Sequence, residues 1–145
     1  MYMISSHFFF NGTTVIYLTL SNYSSIIYLE RILKINVVEV QRMIKKFEIY
    51  QLKEEHIYDL GFMRYEYLMK HGKTVEKKNY CLMYKSADIG IDCSDDAYLE
   101  LLYERFNLNR PEDFKGHSMS VSDVVVINGN AYYTDSFGFQ RLERF

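Results

Sequence analysis

The 145-residue sequence has no tryptophan, only one proline and only two cysteines. The single proline, Pro111, excludes a long, rigid, proline-rich linker. Two thiols are too few for a disulfide framework, and neither Cys81 nor Cys93 shows the spacing of a zinc site. Cys81 lies in an apolar run and is predicted to be a small core residue, whereas Cys93 is predicted to be a free thiol in a loop. We expect no metal or cofactor, and a reducing cytoplasmic location fits both thiols.

Residues 1–29 contain no Lys, Arg, Asp or Glu. Their apolar run at residues 7–20 is broken by glycine and polar residues, and a membrane span needs about 20 nearly uninterrupted apolar residues. A secretory signal needs a positively charged start, and no basic residue precedes Arg31. We therefore predict neither a targeting segment nor contact with a membrane.

Two interpretations of residues 1–42 remain open. In the first, residues 15–20 form a strand and residues 25–38 an amphipathic helix, both added to a main domain at residues 43–145. In the second, this segment is an upstream translation product and Met43 is the natural start. The five residues before Met43 can be encoded by a purine-rich stretch that resembles a bacterial ribosome-binding site.

The overall composition indicates one globular domain rather than a disordered chain. Apolar residues make up 48% and charged residues 25%, and the net charge is -2. A chain with this charge has no general attraction for nucleic acid, so any such contact must be local.

Periodicity within residues 43–145 predicts the individual elements. Alternation predicts a strand at residues 46–52, with Phe47, Ile49 and Gln51 on the buried face. The other predictions are an extended piece at residues 57–62, a helix at 64–71 that stops at Gly72, a strand at 79–84 and a loop at 87–93.

A second helix is predicted after Ser94, which can accept hydrogen bonds from the first turn as an N-cap. Its apolar residues recur at helical spacing, and it is predicted to end near Asn107. A strand at residues 118–127, the Asn128-Gly129 turn and a strand at 131–134 then predict a C-terminal β-hairpin. The elements together predict an α+β fold with a small, mainly antiparallel sheet and two main helices.

Three segments in this order resemble one family. They are FEIYQLK at residues 47–53, LYERFNLNRPEDFKGHSMSVSDVVVING at residues 102–129 and YYTDSFGF at residues 132–139. Together they resemble the YodL-like domain family, and the similarity covers about residues 47–145. Residues 1–42 fall outside it.

The family consists of small bacterial domains that occur on conjugative elements, plasmids and phages of Firmicutes, either alone or inside large polyvalent proteins. The resemblance implies a mobile-element context and a role in protein or nucleic-acid interaction, with counter-defence as one setting. It provides no catalytic residues to transfer to this chain, and a shared fold does not fix a shared partner.

The stretch before the hairpin combines histidine, serines and an aspartate, which invites comparison with a Ser–His–Asp triad. A strand at residues 118–127 would place Ser118, Ser120 and Ser122 on one face, and His117 and Asp123 on the other. That arrangement argues against nucleophilic catalysis, because a triad needs its members within hydrogen-bond reach. We therefore predict a non-enzymatic protein, with Asp123 accepting backbone N–H bonds.

Asp135, Ser136 and Phe137 follow the return strand and are predicted to lie close to residues 117–123. Asp135 could pair with Asp123 as two carboxylates, but it is more typical of a residue that caps a turn. Gly138 would then supply an unusual φ between two core phenylalanines. These eight polar and aromatic residues are the predicted surface for a host-protein partner: His117, Ser118, Ser120, Ser122, Asp123, Asp135, Ser136 and Phe137.

The alternative is a nucleic-acid-binding accessory protein. Lysines and tyrosines interleave between residues 65 and 85, and a cationic surface with aromatic platforms suits single-stranded nucleic acid. The candidate residues for that surface are Lys70, Lys73, Lys77, Lys78, Lys85 and Tyr80.

Overall fold

The computed structural model describes residues 6–10, 13–17 and 44–145. The chain divides into two compact units, Met1–Arg42 and Met43–Phe145. In the first unit, β1 (Ser6–Phe10) and β2 (Thr13–Tyr17) pair as antiparallel strands. β2 overlaps the strand predicted at residues 15–20. Residues 18–20 and the helix predicted at residues 25–38 lie outside the described residues.

The second unit is built on one antiparallel sheet. Its strands are β3 (Ile44–Leu52), β4 (Tyr80–Ile89), β5 (Val124–Ile127), β6 (Asn130–Thr134) and β7 (Phe139–Arg141). They lie in the order β4–β3–β5–β6–β7. The helices are α1 (Glu54–Leu60), α2 (Tyr65–Lys70) and α3 (Asp95–Leu108), with a 3₁₀ turn at Lys77–Asn79. The predicted α+β class is confirmed, and the described part of the chain has three helices rather than two main ones.

The sheet is covered on both faces, so the module has three layers. On one face, Phe47 and Val125 pack against the buried stripe of α3, which includes Leu102. On the other face, Val124 and Tyr133 belong to a second cluster with residues of α1, α2 and the C-terminal segment. This double burial explains why β5 is apolar at every position. No helix in the described ranges is long and apolar enough to cross a membrane.

Helix α3 begins as its sequence predicts. Ser94 Oγ accepts a hydrogen bond from Ala97 N at 3.2 Å, and Asp95 and Asp96 lie in the first turn, where the helix dipole favours carboxylates. The helix ends at Leu108, close to the predicted end.

The Asn-Gly hairpin is also confirmed. Asn128 has φ 48° and Gly129 has φ 89°, the two positive values that a type I′ turn requires. Asn128 N donates to Lys46 O at 2.9 Å, and Lys46 N donates to Asn128 Oδ1 at 3.0 Å. The turn therefore joins β5 and β6 and also bonds to β3.

Four sequence predictions were wrong in part. The extended piece at residues 57–62 is mostly helix α1, which Glu54 and Glu55 favour by lying at its positive end. The loop at residues 87–93 begins later, because β4 pairs with β3 as far as Ile89. Cys81 is exposed rather than in the core, because β4 is an outer strand of the sheet.

The fourth correction concerns the stretch before the hairpin. Of the strand predicted at residues 118–127, only β5 (Val124–Ile127) forms. Residues 118–123 instead make a turn, in which Asp123 N donates to Ser120 O at 3.1 Å. Ser122 has φ 83°, which no strand residue adopts, so the Ser–Val alternation there does not reflect a strand.

Candidate functional site

A single glutamine side chain holds the turn at residues 117–123 against the end of β3. Gln51 Nε2 donates to His117 O at 2.9 Å and to Asp123 Oδ2 at 3.0 Å, and it lies 3.0 Å from His117 Nδ1. Gln51 Oε1 accepts from His117 N at 3.0 Å. We call Gln51, His117 and Asp123 the Gln51 brace. Its Gln51 side chain is buried, as the alternation of β3 predicts.

Asp123 is a buried carboxyl group, and no Lys or Arg is among the groups that shift its pKa. It is 1% exposed, and its Oδ2 also accepts from Ser120 N at 2.9 Å, so its predicted role as an acceptor for backbone N–H is confirmed. His117 Nε2 lies 3.9 Å from Asp123 Oδ1. Burial raises the pKa of Asp123 to about 6, against the opposing effects of Ser120, His117 and Gln51.

Gly116 leaves room for the Gln51 brace. A Cβ at this position would overlap Gln51 Oε1 and would lie 2.7 Å from the Phe114 ring. Neither neighbour can move freely, because Gln51 is fixed by its hydrogen bonds and Phe114 is buried in the core. Glycine is therefore required here for close approach.

Replacing Gly116 with alanine is expected to lower the free energy of unfolding by about 2 kcal/mol, the cost of forced overpacking. Urea denaturation followed by far-ultraviolet circular dichroism measures it. The matched control is Gly129→Ala: its Cβ meets nothing within 4 Å, so its cost is only that of an alanine at φ 89°. In Gly116→Ala, unlike the control, the His117 amide signal in NMR spectra should also shift. An unshifted signal would contradict the role of Gly116.

Ser122 connects this turn to the loop between α1 and α2. It is 4% exposed; its N donates to Thr134 O at 2.9 Å and its Oγ accepts from Phe62 N at 3.2 Å. Phe62 has φ 57° and is 69% exposed. Ser122 thus positions the backbone of Phe62, and it is the Phe62 side chain that is exposed to solvent.

Asp135 fixes the other end of the same loop. Its Oδ2 accepts from Tyr65 N at 3.3 Å and its Oδ1 from Ser136 N at 2.7 Å. These contacts favour the turn-capping interpretation over a carboxylate pair with Asp123, whose oxygens have a separate set of donors. Gly138 has φ 71°, as predicted.

Phe137 is 85% exposed, so the prediction that both phenylalanines beside Gly138 lie in the core was wrong for this one. The guanidinium carbon of Arg64 lies 5.7 Å from the centre of its ring, within range of a cation–π contact. We call Phe62, Arg64 and Phe137 the aromatic rim. Sequence reasoning missed Phe62 and Arg64, because nothing in their spacing marks them as neighbours of residues 122 and 135.

The remaining candidates are divided between surface and interior. His117, Ser118 and Ser136 are exposed, Ser120 is half-buried, and Ser122 and Asp123 are buried. The serines do not share one face. The structure thus brings the two predicted segments together. The exposed side chains next to Asp135 are those of Ser136 and Phe137, together with Phe62 and Arg64, which the sequence did not predict.

The lysines of the nucleic-acid alternative are partly occupied. Lys78 pairs with Glu76 at 2.6 Å and Lys85 with Glu48 at 2.8 Å, while Lys73 Nζ donates to Asp59 O. Lys77 Nζ lies 4.7 Å from the Tyr50 ring centre, and Lys70 is exposed. Tyr80 is 6% exposed and cannot serve as a platform for a stacked base.

The donor set for a metal ion is also limited. Within residues 44–145, no three His, Cys, Asp or Glu side chains gather in a metal-binding geometry. His117 and Asp123 are a pair rather than a cluster.

Comparison with known families identifies a matching domain. The family model described as YodL-like domain matches residues 46–145, which confirms the family resemblance of the sequence. No curated protein and no solved structure matches the chain.

Proposed function

The chain belongs to the YodL-like domain family, and from that premise we propose that it is a non-enzymatic interaction module that binds a host protein through the aromatic rim and the exposed residues beside it. The family's association with mobile elements suggests counter-defence as the setting. The partner would be a protein of the bacterium that carries the element.

The observation that carries the proposal is that Phe62 is exposed and has a positive φ. The residue is 69% exposed, and its backbone has φ 57°, which is costly for a bulky residue. Exposure and strain both lower stability, yet the conformation is held by the hydrogen bond from Phe62 N to Ser122 Oγ. Strained residues that the surrounding structure holds in place concentrate at functional sites.

The neighbouring residues have the composition of a protein-binding surface. Phe137 is 85% exposed and Arg64 lies over its ring, and aromatic residues and arginine are enriched in binding hot spots. Asp135 fixes Tyr65 and Ser136, so the backbone that carries these side chains is ordered before a partner arrives. Preorganisation lowers the cost of binding.

Replacing Phe62 with glycine and Phe137 with serine is expected to abolish capture of the partner, because both exposed rings are lost. The fold should be kept, since glycine relieves about 1 kcal/mol of strain at a positive φ. The measurement is affinity capture from the native host with quantitative mass spectrometry, alongside thermal unfolding. Leu108→Ser, which removes an exposed apolar side chain at the end of α3, is the matched control.

Captured proteins that are equally abundant with wild type, control and the folded double variant would overturn the proposal. The nucleic-acid alternative predicts a different pattern. In that case, binding would weaken steeply with salt and would be lost on replacing Lys70 and Lys77, with the rim left intact.

A further inference from the structure

The turn between β5 and β6 contains an asparagine followed by a glycine. Asparagine is a chemically labile residue, and a following glycine leaves the next backbone nitrogen unshielded, because it has no side chain. Asn128 and Gly129 are both exposed to solvent, and a Cβ at Gly129 would meet nothing within 4 Å. Packing therefore does not keep Gly129 N from attacking the Asn128 side-chain amide, and any protection must come from the conformation of the turn.

The conformation of the turn directs the Asn128 amide at β3. Lys46 N donates to Asn128 Oδ1 at 3.0 Å, and Asn128 N donates to Lys46 O at 2.9 Å. Side chain and backbone of Asn128 are thus both bonded to the same residue of β3. Ring closure needs the Asn128 side chain to swing toward Gly129 N, and this movement breaks the bond from Lys46 N. The contact with β3 therefore opposes the reaction.

The protecting contact lies where the sheet opens most readily. The ladder between β3 and β5 runs from Phe47, opposite Ile127, to Tyr50. Lys46 lies one residue beyond the first of these pairs and is exposed. The ends of paired elements open locally at a lower free energy than the core of a protein. Asn128 can therefore leave Lys46 without unfolding of the whole domain.

We propose that Asn128 is a site of spontaneous deamidation, that β3 protects it, and that the reaction occurs when the turn separates from Lys46. The rate then follows the population of this open state, because opening and closing are fast relative to the chemical step. The proposal is independent of any partner, since the only co-reactant is water.

The reaction balances with water alone. Gly129 N forms a bond to Asn128 Cγ and loses its proton, the Cγ–Nδ2 bond breaks, and the side-chain nitrogen leaves as ammonia with the added proton. The product is a five-membered cyclic imide. Water then opens the imide at one of its two carbonyl carbons. Opening at Cγ leaves aspartate, and opening at the main-chain carbonyl leaves isoaspartate.

The two products differ in whether they can restore the turn. Aspartate leaves the main chain unchanged, and its Oδ1 can again accept from Lys46 N. Isoaspartate adds a methylene group to the main chain before Gly129. A two-residue turn with that addition no longer has the geometry that pairs Ile127 with Asn130. Formation of isoaspartate therefore prevents the turn from returning to β3.

The first test incubates the full 145-residue chain at mildly alkaline pH, in buffer and in denaturing guanidinium chloride. Mass spectrometry of proteolytic peptides measures conversion at Asn128 and separates it from Asn130 and from the other Asn-Gly pair of the sequence, Asn11–Gly12. We expect conversion at Asn128 to be at least about tenfold faster in denaturant, since a hydrogen bond no longer has to break. Equal rates would overturn protection by the fold, and no conversion in denaturant would overturn the site itself.

The second test assigns the protection to Lys46. Lys46→Pro removes the N–H that holds Asn128 Oδ1, and Lys46→Ala is the matched control, because both variants lack the amine. In buffer, conversion at Asn128 should be roughly tenfold faster in the folded proline variant than in the alanine variant. Equal rates would reject the role of the bond from Lys46.

A companion measurement covers the case in which Lys46→Pro does not fold. Wild type is then incubated at guanidinium chloride concentrations below its unfolding transition, where conversion at Asn128 should already accelerate because the turn opens locally. A rate that rises only together with global unfolding would reject local opening at Lys46.

The products are tested by pulse proteolysis of the converted chains. Asn128→Asp represents the unrearranged product and is expected to resist cleavage nearly as well as wild type, whereas chains with isoaspartate at position 128 should be cleaved at a lower denaturant concentration. Equal resistance of the two products would contradict the inability of isoaspartate to restore the turn.

Discussion

Replacing Gln51 with leucine is expected to lower the free energy of unfolding by about 3 kcal/mol at neutral pH. Leucine has nearly the same volume, so the change removes hydrogen bonds rather than packing. His117 N and His117 O lose a buried partner, and the Asp123 carboxylate keeps only the donor from Ser120. Buried groups left without partners cost most when one of them is charged.

Chemical denaturation at neutral pH measures this loss directly. The matched control is Gln140→Leu, the same replacement at an exposed position, which is expected to change stability by less than about 0.5 kcal/mol. NMR spectra of Gln51→Leu should show the amide signals of residues 117–123 displaced. A loss below about 1 kcal/mol, within the cost of an ordinary substitution, would mean that the Gln51 brace does not hold the turn.

Ionisation of Asp123 is expected to lower the stability of the fold, whereas ionisation of most carboxylates in folded proteins raises it. Burial raises its pKa from 3.8 to about 6, so the folded state holds the proton more tightly than the unfolded state. The resulting stabilisation is full below pH 3.8 and is lost as the pH rises through 6. The two pKa values differ by roughly 2 units, which corresponds to about 3 kcal/mol.

The comparison of wild type with Asp123→Asn isolates this effect, since other carboxylates titrate in both proteins. An asparagine that points Oδ1 at Gln51 Nε2 and Ser120 N keeps both hydrogen bonds. The asparagine variant should therefore gain up to about 3 kcal/mol on wild type between pH 4 and pH 7. Urea titrations at several pH values test this, and a constant difference between the two proteins would refute a buried, ionising Asp123.

The parts of the fold that the sequence predicts correctly are those with local physical causes. Ser94 and the stripe of α3 define a helix by capping and periodicity, and Asn128-Gly129 defines a turn by its tolerance of positive φ. The face of β3 that carries Gln51 follows from alternation alone. Each of these signals lies within a few residues of the element that it determines.

The candidate site was predicted less well, because its geometry depends on distant residues. The turn at residues 118–123 exists because Gln51, more than 60 positions earlier in the chain, binds His117 and Asp123. Phe62 joins the surface through Ser122, again across 60 positions. No periodicity within either segment records such contacts, so the serines at every second position from Ser118 to Ser122 predict a strand that does not form.

The error in predicting helix α1 is of a different kind, because a local sequence signal for the helix was present. Glu54 and Glu55 at its start are favoured by the helix dipole. The sequence nevertheless predicts an extended piece at residues 57–62, because Lys53 supplies no side-chain cap and the helix has only seven residues.

Asn128 both forms the β5–β6 turn and bonds to Lys46 of β3, so it links a local element to a distant one. The β5–β6 hairpin joins neighbours in sequence and can form within microseconds, whereas β3 must close a loop of about 80 residues to reach it. Once the turn has formed, Asn128 offers Lys46 both an acceptor and a donor, in the positions that continue the ladder. The turn thus specifies the register of β3 as well as that of its own hairpin, because a slip by one residue would forfeit both bonds.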